Sequence, residues 1–188
     1  FRKHEKVVVP ATPSFYIKKD NINPIVAHIK NLIENPPRAL TICVYNNKGG
    51  VGKTTTTLNL AATLRKLKKK VLVIDFDSQR DLTQSLGLNT GSVKLSDCLV
   101  DTTLNIRDAV QPFNILDTSR KTIKIFDVVA SDDGMEKYTD TNFAAKIQKG
   151  AARLRDLLKN FIYDYDYILI DCPTQWLFFS KSSVYASD

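Results

Sequence analysis

Cysteine is scarce in this sequence, and long apolar stretches are missing from it. The three cysteines, Cys43, Cys98 and Cys172, are widely spaced and form no C-x-x-C pair. This spacing argues against a disulfide framework or a structural zinc site, and it favours a reducing, cytoplasmic environment. No apolar run approaches the roughly 20 residues that a membrane-spanning helix requires. A disulfide-stabilised secreted protein and an integral membrane protein are therefore both disfavoured.

The overall composition is that of a folded globular protein with a surplus of positive charge. The 188 residues are 43% hydrophobic and 25% charged, which argues against a disordered, collagen-like or coiled-coil chain. The 27 lysines and arginines outnumber the 20 acidic residues, for a formal net charge of +7. This charge is compatible with an anionic partner such as nucleic acid, but it does not identify one.

The first 37 residues differ in character from the rest of the chain. Pro24 occupies the position of a first helical residue, and apolar side chains follow it at helical spacing as far as Ile33. Pro36 and Pro37 then end the pattern. We predict a short amphipathic helix within an N-terminal extension or linker, residues 1–37. The tail of an upstream domain is one interpretation of this segment.

Residues 38–188 contain apolar runs that are typical of buried strands. Continuous apolar runs are expected of parallel strands that are covered on both faces. Four such runs occur, at 40–45, 71–75, 124–129 and 167–171. Helical patterns alternate with them, so we predict an α/β domain with a mainly parallel sheet and helices on both of its faces.

The helical patterns between these runs differ in strength. One begins after the glycine-rich turn that follows the first strand, and it ends in the basic cluster 65–70. We interpret this cluster as a solvated helix end that suits the helix dipole, and a DNA-binding element is the alternative. A stripe of apolar residues over 143–161 predicts a long helix that packs on the core. Weaker patterns predict short helices at 95–100 and 106–110.

A glycine- and lysine-rich loop, residues 46–55, lies between the first predicted strand and the helix after it. Glycines allow backbone N–H groups to turn inward around phosphate oxygens, and the positive end of the helix dipole faces the anion. In such a P-loop, Lys53 reaches the β- and γ-phosphates and the Thr54 hydroxyl binds Mg²⁺. The strict motif requires glycine where this chain has Asn47, and Lys48 is an additional lysine. A bare glycine turn does not explain this combination, so the loop predicts phosphate binding.

Three motifs in order resemble those of the ParA/MinD ATPases, a family of P-loop NTPases. Residues 48–55 (KGGVGKTT) resemble the family's deviant Walker A motif, residues 71–79 (VLVIDFDSQ) its D-x-D-x-Q motif, and residues 167–173 (YILIDCP) its Walker B motif. The resemblance is closer to the ParA branch, because Leu82-Thr83 and Leu86-Gly87 follow the second motif. It implies an ATPase that uses ATP and Mg²⁺.

The resemblance also implies roles for individual residues. Lys48 would reach the partner's phosphates across an ATP-bound dimer, and Asp77 would orient the attacking water. Thr54 would bind the metal directly, Asp171 would hold it through water, and Asp75 would lie by its shell. The residues implied to contact the nucleotide are Lys48, Gly49, Gly50, Val51, Gly52, Lys53, Thr54 and Thr55.

For the whole protein, the resemblance implies a homodimer that forms on ATP binding and switches binding to nonspecific DNA, for DNA segregation or cargo positioning. Hydrolysis is expected to be slow and stimulated by a partner protein, and a membrane partner is not expected. The alternative is a regulatory nucleotide switch within a larger signalling or defence protein, without DNA binding. The character of residues 1–37 favours this alternative.

The segment after the Walker B motif departs from the family pattern. The family usually has a second proline where this chain has Thr174, and an aromatic run follows, for which a switch segment and a packing helix are both open interpretations. Family members continue for several more strands and helices beyond the point where this sequence ends at Asp188. We therefore expect the C-terminal part of the ATPase domain to be missing from the chain.

Overall fold

The computed structural model describes residues 38–188 in full, and residues 4–7 and 15–18 as backbone. The chain divides into two units, 1–37 and 38–188. In the first unit, β1 (His4–Val7) and β2 (Phe15–Lys18) pair as antiparallel strands. The amphipathic helix predicted from Pro24 lies outside the described residues.

The second unit is built on a five-stranded sheet. Its strands are β3 (Leu40–Val44), β4 (Val71–Asp75), β5 (Val110–Leu116), β6 (Thr122–Val129) and β7 (Tyr167–Asp171). They lie in the order β3-β7-β4-β6-β5, and every neighbouring pair is parallel except β5 and β6. The four predicted strands are therefore confirmed, with small changes at their ends, while the edge strand β5 was not predicted.

Helices cover both faces of this sheet. They are α1 (Lys53–Lys66), α2 (Asp81–Ser85), α3 (Leu95–Val100), α4 (Thr141–Ala144), α5 (Ala152–Leu158) and α6 (Phe178–Ala186), with 3-10 turns at Ile106–Ala109 and Asp133–Thr139. None of the helices in the described part of the chain is long and apolar enough to cross a membrane.

Successive residues of β4 face opposite sides of the sheet and so belong to two different cores. Leu72 and Ile74 pack in the larger core with α3, α5 and α6, whereas Val71 and Val73 pack in the smaller core with α1. All five residues of β4 are buried. This double burial explains why the strand has a continuous apolar sequence, and it confirms the predicted arrangement of helices on both faces.

The long helix predicted over 143–161 is wrong. The structure has the short helices α4 and α5 there, separated by a turn in which Lys149 and Gly150 adopt left-handed backbone conformations, with φ of 64° and 52°. Leu154 and Leu158 enter the core as expected, but Phe143 is 47% exposed. The apolar spacing is real, but a left-handed pair cannot continue an α-helix.

The sheet topology brings three strand ends together. In the parallel register, Asp171 at the end of β7 lies opposite Val44 of β3 on one side and Asp75 of β4 on the other. The loops that leave these three strands therefore start from one edge of the sheet. This edge is the crevice at which open α/β sheets bind ligands.

Candidate nucleotide-binding site

The loop between β3 and α1 has the backbone conformation that its glycines permit. Gly50 and Gly52 have φ of 68° and 83°, a left-handed region that favours glycine. Gly52 precedes the first residue of α1, Lys53, so the free N–H groups and the positive dipole end of a 14-residue helix face outward here. A Cβ atom added at Gly49, Gly50 or Gly52 would meet nothing within 4 Å. The space beside these three glycines is therefore open.

A pocket of about 660 Å³ opens over this loop. Most of the predicted nucleotide-contacting residues line it, together with Asp77: they are Gly49, Gly50, Gly52, Lys53, Thr54 and Thr55. Lys48 and Val51 are exposed and do not belong to the lining. Asp75 and Asp171 are buried, at 0% and 2% exposure, and do not line the pocket either.

Thr54 and Asp171 connect the phosphate loop to the end of β7. The Thr54 hydroxyl donates a hydrogen bond of 2.7 Å to Oδ2 of Asp171, while Oδ1 of Asp171 is buried and has no hydrogen-bond partner among residues 38–188. Burial raises the pKa of Asp171 to about 6; the Thr54 hydrogen bond and the charge of Lys53 oppose this shift, and the charge of Asp77 adds to it. A buried acceptor without a partner is costly and requires an explanation.

A magnesium ion fits this pair of residues. A hydroxyl oxygen and a carboxylate oxygen are the hard ligands that Mg²⁺ prefers, and the ion usually keeps several of its waters. The unpartnered oxygen of Asp171 could accept a hydrogen bond from such a water. Thr54 and Asp171 are thus the predicted metal residues that the structure brings together.

Asp75 has different surroundings from Asp171. Its Oδ2 accepts hydrogen bonds from the Thr83 hydroxyl (2.6 Å) and the Thr83 N–H (2.9 Å), and its Oδ1 accepts one from the Asp77 N–H (3.2 Å). Burial raises the pKa of Asp75 to about 7, and these hydrogen bonds oppose the rise. The carboxylate therefore holds the loop that carries Asp77, and its predicted place by the metal shell stays a prediction.

Asp77 follows β4 and faces the pocket. Its Oδ1 accepts a hydrogen bond of 2.9 Å from the Gln79 N–H, and its backbone carbonyl accepts one of 2.6 Å from the Ser131 hydroxyl. Burial raises the pKa of this carboxyl, and the nearby charge of Lys53 opposes the shift. Two contacts from different parts of the chain thus fix the position of Asp77 beside the phosphate loop.

Lys48 lies on the outer side of the loop. The side chain of Asn46 accepts a hydrogen bond of 2.9 Å from the Lys48 N–H, and the Tyr45 hydroxyl donates one of 2.7 Å to the side chain of Asn47. These local contacts fix the backbone that precedes the glycines and leave Lys48 exposed. Lys48 therefore lies outside the phosphate pocket of its own chain.

Several residues line the pocket that the sequence analysis did not assign to the site. They include Ser78, Gln79, Asp81, Thr139, Pro173, Thr174, Gln175 and Leu177. Gln79 could have been found, because it is the last residue of the D-x-D-x-Q motif. Thr139 carries no local signal, since it reaches the pocket from a distant 3-10 turn.

The aromatic run after the Walker B motif has two structural roles. Phe178 and Phe179 begin α6, and the ring of Phe179 meets that of Phe76 edge-on at 5.2 Å. Trp176 lies 5.1 Å from the ring of Tyr45, whose hydroxyl also donates a hydrogen bond of 3.4 Å to the Thr174 carbonyl. The helix at the end of the run is therefore a packing helix, while the residues before it border the nucleotide pocket.

Comparison with known proteins places this site in a family. Residues 39–188 match the family model AAA_31, described as an AAA domain. The chain belongs to this family. The matched range includes the phosphate loop, Asp77 and Asp171, so the whole pocket lies within the shared domain.

The relatives of this AAA domain are of the ParA type. The chain is 32% identical over 148 residues to a ParA family protein of Chlamydia trachomatis, covering 78% of this chain and 55% of that protein. It is 31% identical over 147 residues to the sporulation initiation inhibitor protein Soj of Bacillus subtilis, covering 78% and 54%. The structure of a Cyanothece McdA variant in complex with ATP matches with a TM-score of 0.64 and 27% identity, over 80% of this chain and 54% of that one.

These similarities confirm the ParA-type resemblance and the predicted P-loop NTPase fold. The chain spans about half the length of the curated relatives that it matches. The AAA domain of this chain is thus that of a ParA-type P-loop ATPase, while the activity and partners of the whole protein require separate arguments.

Proposed function

We propose that this protein is an ATPase that binds ATP with Mg²⁺, dimerises on ATP, and uses hydrolysis to switch its binding to nonspecific DNA. The observation that carries the proposal is the pair formed by Thr54 and Asp171 beside the phosphate loop, where one buried carboxylate oxygen has no hydrogen-bond partner in the described part of the chain. The bound ATP in the similar McdA structure supports ATP as the nucleotide.

In this proposal the loop and the start of α1 bind the triphosphate. The N–H groups around Gly50 and Gly52 and the ammonium group of Lys53 contact phosphate oxygens. Thr54 and Asp171 would hold Mg²⁺, with Asp75 nearby, and the ion would neutralise the negative charge that develops on the phosphates. Asp77 lines the same pocket as the phosphate loop.

Asp77 would act on the attacking water. Phosphoryl transfer requires mainly that the nucleophile be positioned and that charge be stabilised. The hydrogen bonds from Gln79 and Ser131 hold the Asp77 segment in place, so its carboxylate can orient a water for in-line attack. Ordinary turnover is expected to be slow and to rise with a partner protein.

Lys48 would act on the phosphates of a second copy of the chain. Its side chain is exposed and lies outside the pocket of its own chain, which supports a role across a dimer interface rather than within one site. In the dimer each Lys48 would supply positive charge to the partner's nucleotide. Nucleotide binding and dimerisation should therefore be separable by mutation.

Two lysine substitutions test this separation. Lys53→Ala should abolish nucleotide binding, because the charge that contacts the β- and γ-phosphates is lost. Lys48→Ala should keep nucleotide affinity within a few-fold of the original but lose ATP-dependent dimerisation and turnover. Fluorescent-nucleotide titration, light scattering and phosphate release measure the three properties, with the exposed Lys94→Ala as control. Tight binding by Lys53→Ala, or normal dimerisation and turnover by Lys48→Ala, would overturn the respective role.

A basic group of residues supports an anionic partner such as DNA. Arg65, Lys68, Lys69, Lys70 and Lys124 line a pocket of about 470 Å³ near the amino ends of β4 and β7. We call these five residues the basic group. Asp127 and Asp164 also line this pocket, but Lys124 pairs with Asp127 and Arg107 pairs with Asp164, so positive charge remains in excess.

A regulatory nucleotide switch without DNA binding is the second candidate. The division of the chain after residue 37, just before the family match begins at residue 39, favours it. In this case residues 1–37 would connect the ATPase to another function. If the protein does not bind DNA, or binds it equally well with ATP and with ADP, the regulatory switch is favoured over the DNA-binding ATPase.

A further inference from the structure

Two cysteine thiols lie side by side next to the nucleotide site. Sγ of Cys43 is 3.5 Å from Sγ of Cys172, and both thiols are free. Cys43 belongs to β3 and pairs in register with Ile170 of the neighbouring strand β7. Cys172 is two residues beyond Ile170, so its side chain lies on the same face of the sheet as that of Cys43.

We propose that Cys43 and Cys172 form a reversible intramolecular disulfide, and that this modification weakens nucleotide binding. The effect on nucleotide binding rests on the proposed function, whereas formation of the bond does not. No step of the proposed ATPase mechanism uses either thiol.

The two cysteines differ in exposure, and this difference determines which of them reacts first. Cys43 is partly exposed, whereas Cys172 is 1% exposed. A small disulfide such as oxidised glutathione can therefore react with Cys43 first: the Cys43 sulfur bonds to one glutathione sulfur, and the other leaves as a thiol. The Cys172 sulfur then attacks Cys43 and releases the second glutathione. Two protein thiols are oxidised, their two protons pass to the glutathione sulfurs, and one glutathione disulfide is reduced.

The bond would displace residues that belong to the nucleotide site. A disulfide bond is about 2.05 Å long, so the two sulfur atoms must approach each other by about 1.5 Å. Cys172 lies directly between Asp171, which accepts the Thr54 hydrogen bond, and Pro173, which lines the pocket. Misplacement of catalytic groups by about 1 Å can lower a reaction rate on the order of 100-fold, and displacement of the Asp171 segment should likewise disturb the contacts that bind the nucleotide with its metal. We expect oxidation to weaken nucleotide affinity by about tenfold or more.

Peptide mapping tests whether the bond forms. The full chain is treated with oxidised glutathione, free thiols are alkylated, and the digest is analysed by mass spectrometry with and without reductant. The Cys43 and Cys172 peptides should be joined in the original protein and in Cys98→Ala, and the link should disappear on reduction and in Cys43→Ser. If both thiols are fully alkylated when the oxidant-treated folded protein is denatured in the presence of the alkylating reagent, the proposal is overturned.

Nucleotide titration tests the consequence of the bond. Reduced Cys98→Ala should bind ATP as the original protein does, lose affinity about tenfold on oxidation, and recover it with dithiothreitol. The double variant Cys43→Ser/Cys98→Ala should not respond to oxidation. Reduced protein that binds no nucleotide would contradict the proposed function and leave the mapping result intact. A mapped disulfide with unchanged nucleotide affinity would overturn only the proposed effect of the bond on nucleotide binding.

Discussion

Asp75 and Asp171 occupy equivalent positions on neighbouring strands, yet their carboxylates have different environments. Thr83 donates hydrogen bonds to one oxygen of Asp75 and Asp77 donates one to the other. One buried oxygen of Asp171, by contrast, has no hydrogen-bond partner among the residues that the structure describes. A ligand can therefore gain an interaction at Asp171 without breaking one. At Asp75 it would have to compete with Thr83, so the carboxylate acts mainly through the Asp77 loop that it holds.

Asp75 should make the stability of the protein depend on pH. Burial raises the pKa of Asp75 in the folded protein to about 7, above its ordinary value of 3.8. The folded state therefore binds this proton more tightly than the unfolded state does. This contribution to stability is complete below about pH 4 and is lost as the pH rises through 7. Asp75→Asn removes the titrating group, so its free energy of unfolding should fall less between about pH 5 and about pH 8.

Urea denaturation of metal-free protein at the two pH values measures this effect. The difference in pH dependence between the original protein and Asp75→Asn should be on the order of 2 kcal/mol, because one pKa unit corresponds to about 1.4 kcal/mol. Exposed Asp108→Asn provides a control that should retain the original pH dependence. Equal pH dependence in all three proteins would show that Asp75 titrates normally.

At the scale of secondary-structure elements, the sequence predicted those strands whose burial is visible in their own residues. The strand β4 was predicted at its observed bounds, Val71–Asp75, because burial on both faces leaves an unbroken apolar run. The edge strand β5, Val110–Leu116, was missed because it is largely exposed and contains Pro112. Its pairing with β6 is a tertiary contact that a single-sequence pattern does not contain.

The same distinction applies to the candidate site. Lys53 and Thr54 were predicted because the strand, the loop and the helix that form their part of the pocket are contiguous. Ser131, which bonds the Asp77 carbonyl, and Thr139, which lines the pocket, were not predicted, because both come from a later part of the chain. Nothing in their own sequence neighbourhood distinguishes them from other serines and threonines.

In the turn between α4 and α5, the sign of a stability change distinguishes the observed turn from a continuous helix. Gly150 has a φ of 52°, which costs a residue with a Cβ roughly 1 kcal/mol. Gly150→Ala should therefore lower the free energy of unfolding by about 1 kcal/mol. Within the continuous helix that the apolar spacing suggested, the same change would instead raise it by about 1 kcal/mol. Chemical denaturation distinguishes the two, and Gly91→Ala is a control without a positive φ or a neighbour within 4 Å.

At the scale of the whole ATPase unit, the parallel sheet separates two charged regions. The phosphate loop, Asp77 and Asp171 lie at the carboxyl ends of β3, β4 and β7. The basic group lies near the amino ends of β4 and β7. A polyanion could therefore contact the basic group without competing with ATP for the phosphate loop. Nucleotide binding and DNA binding should then be separable by mutation at this surface.

The last prediction tests the basic group as a DNA-contacting surface. Lys68→Glu/Lys70→Glu should weaken binding to random-sequence DNA with Mg-ATP while leaving ATP affinity unchanged. Each phosphate contact that is lost should reduce the slope of log affinity against log salt by about 0.9, so the slope of the double variant should be smaller by up to about 2.

A control variant, Lys94→Glu/Lys181→Glu, makes the same charge change at two exposed positions outside the basic group. It therefore separates the effect of position from that of net charge. Equal losses in both variants would mean that net charge alone attracts DNA. Unchanged DNA binding in the first variant would place the contacts outside the basic group.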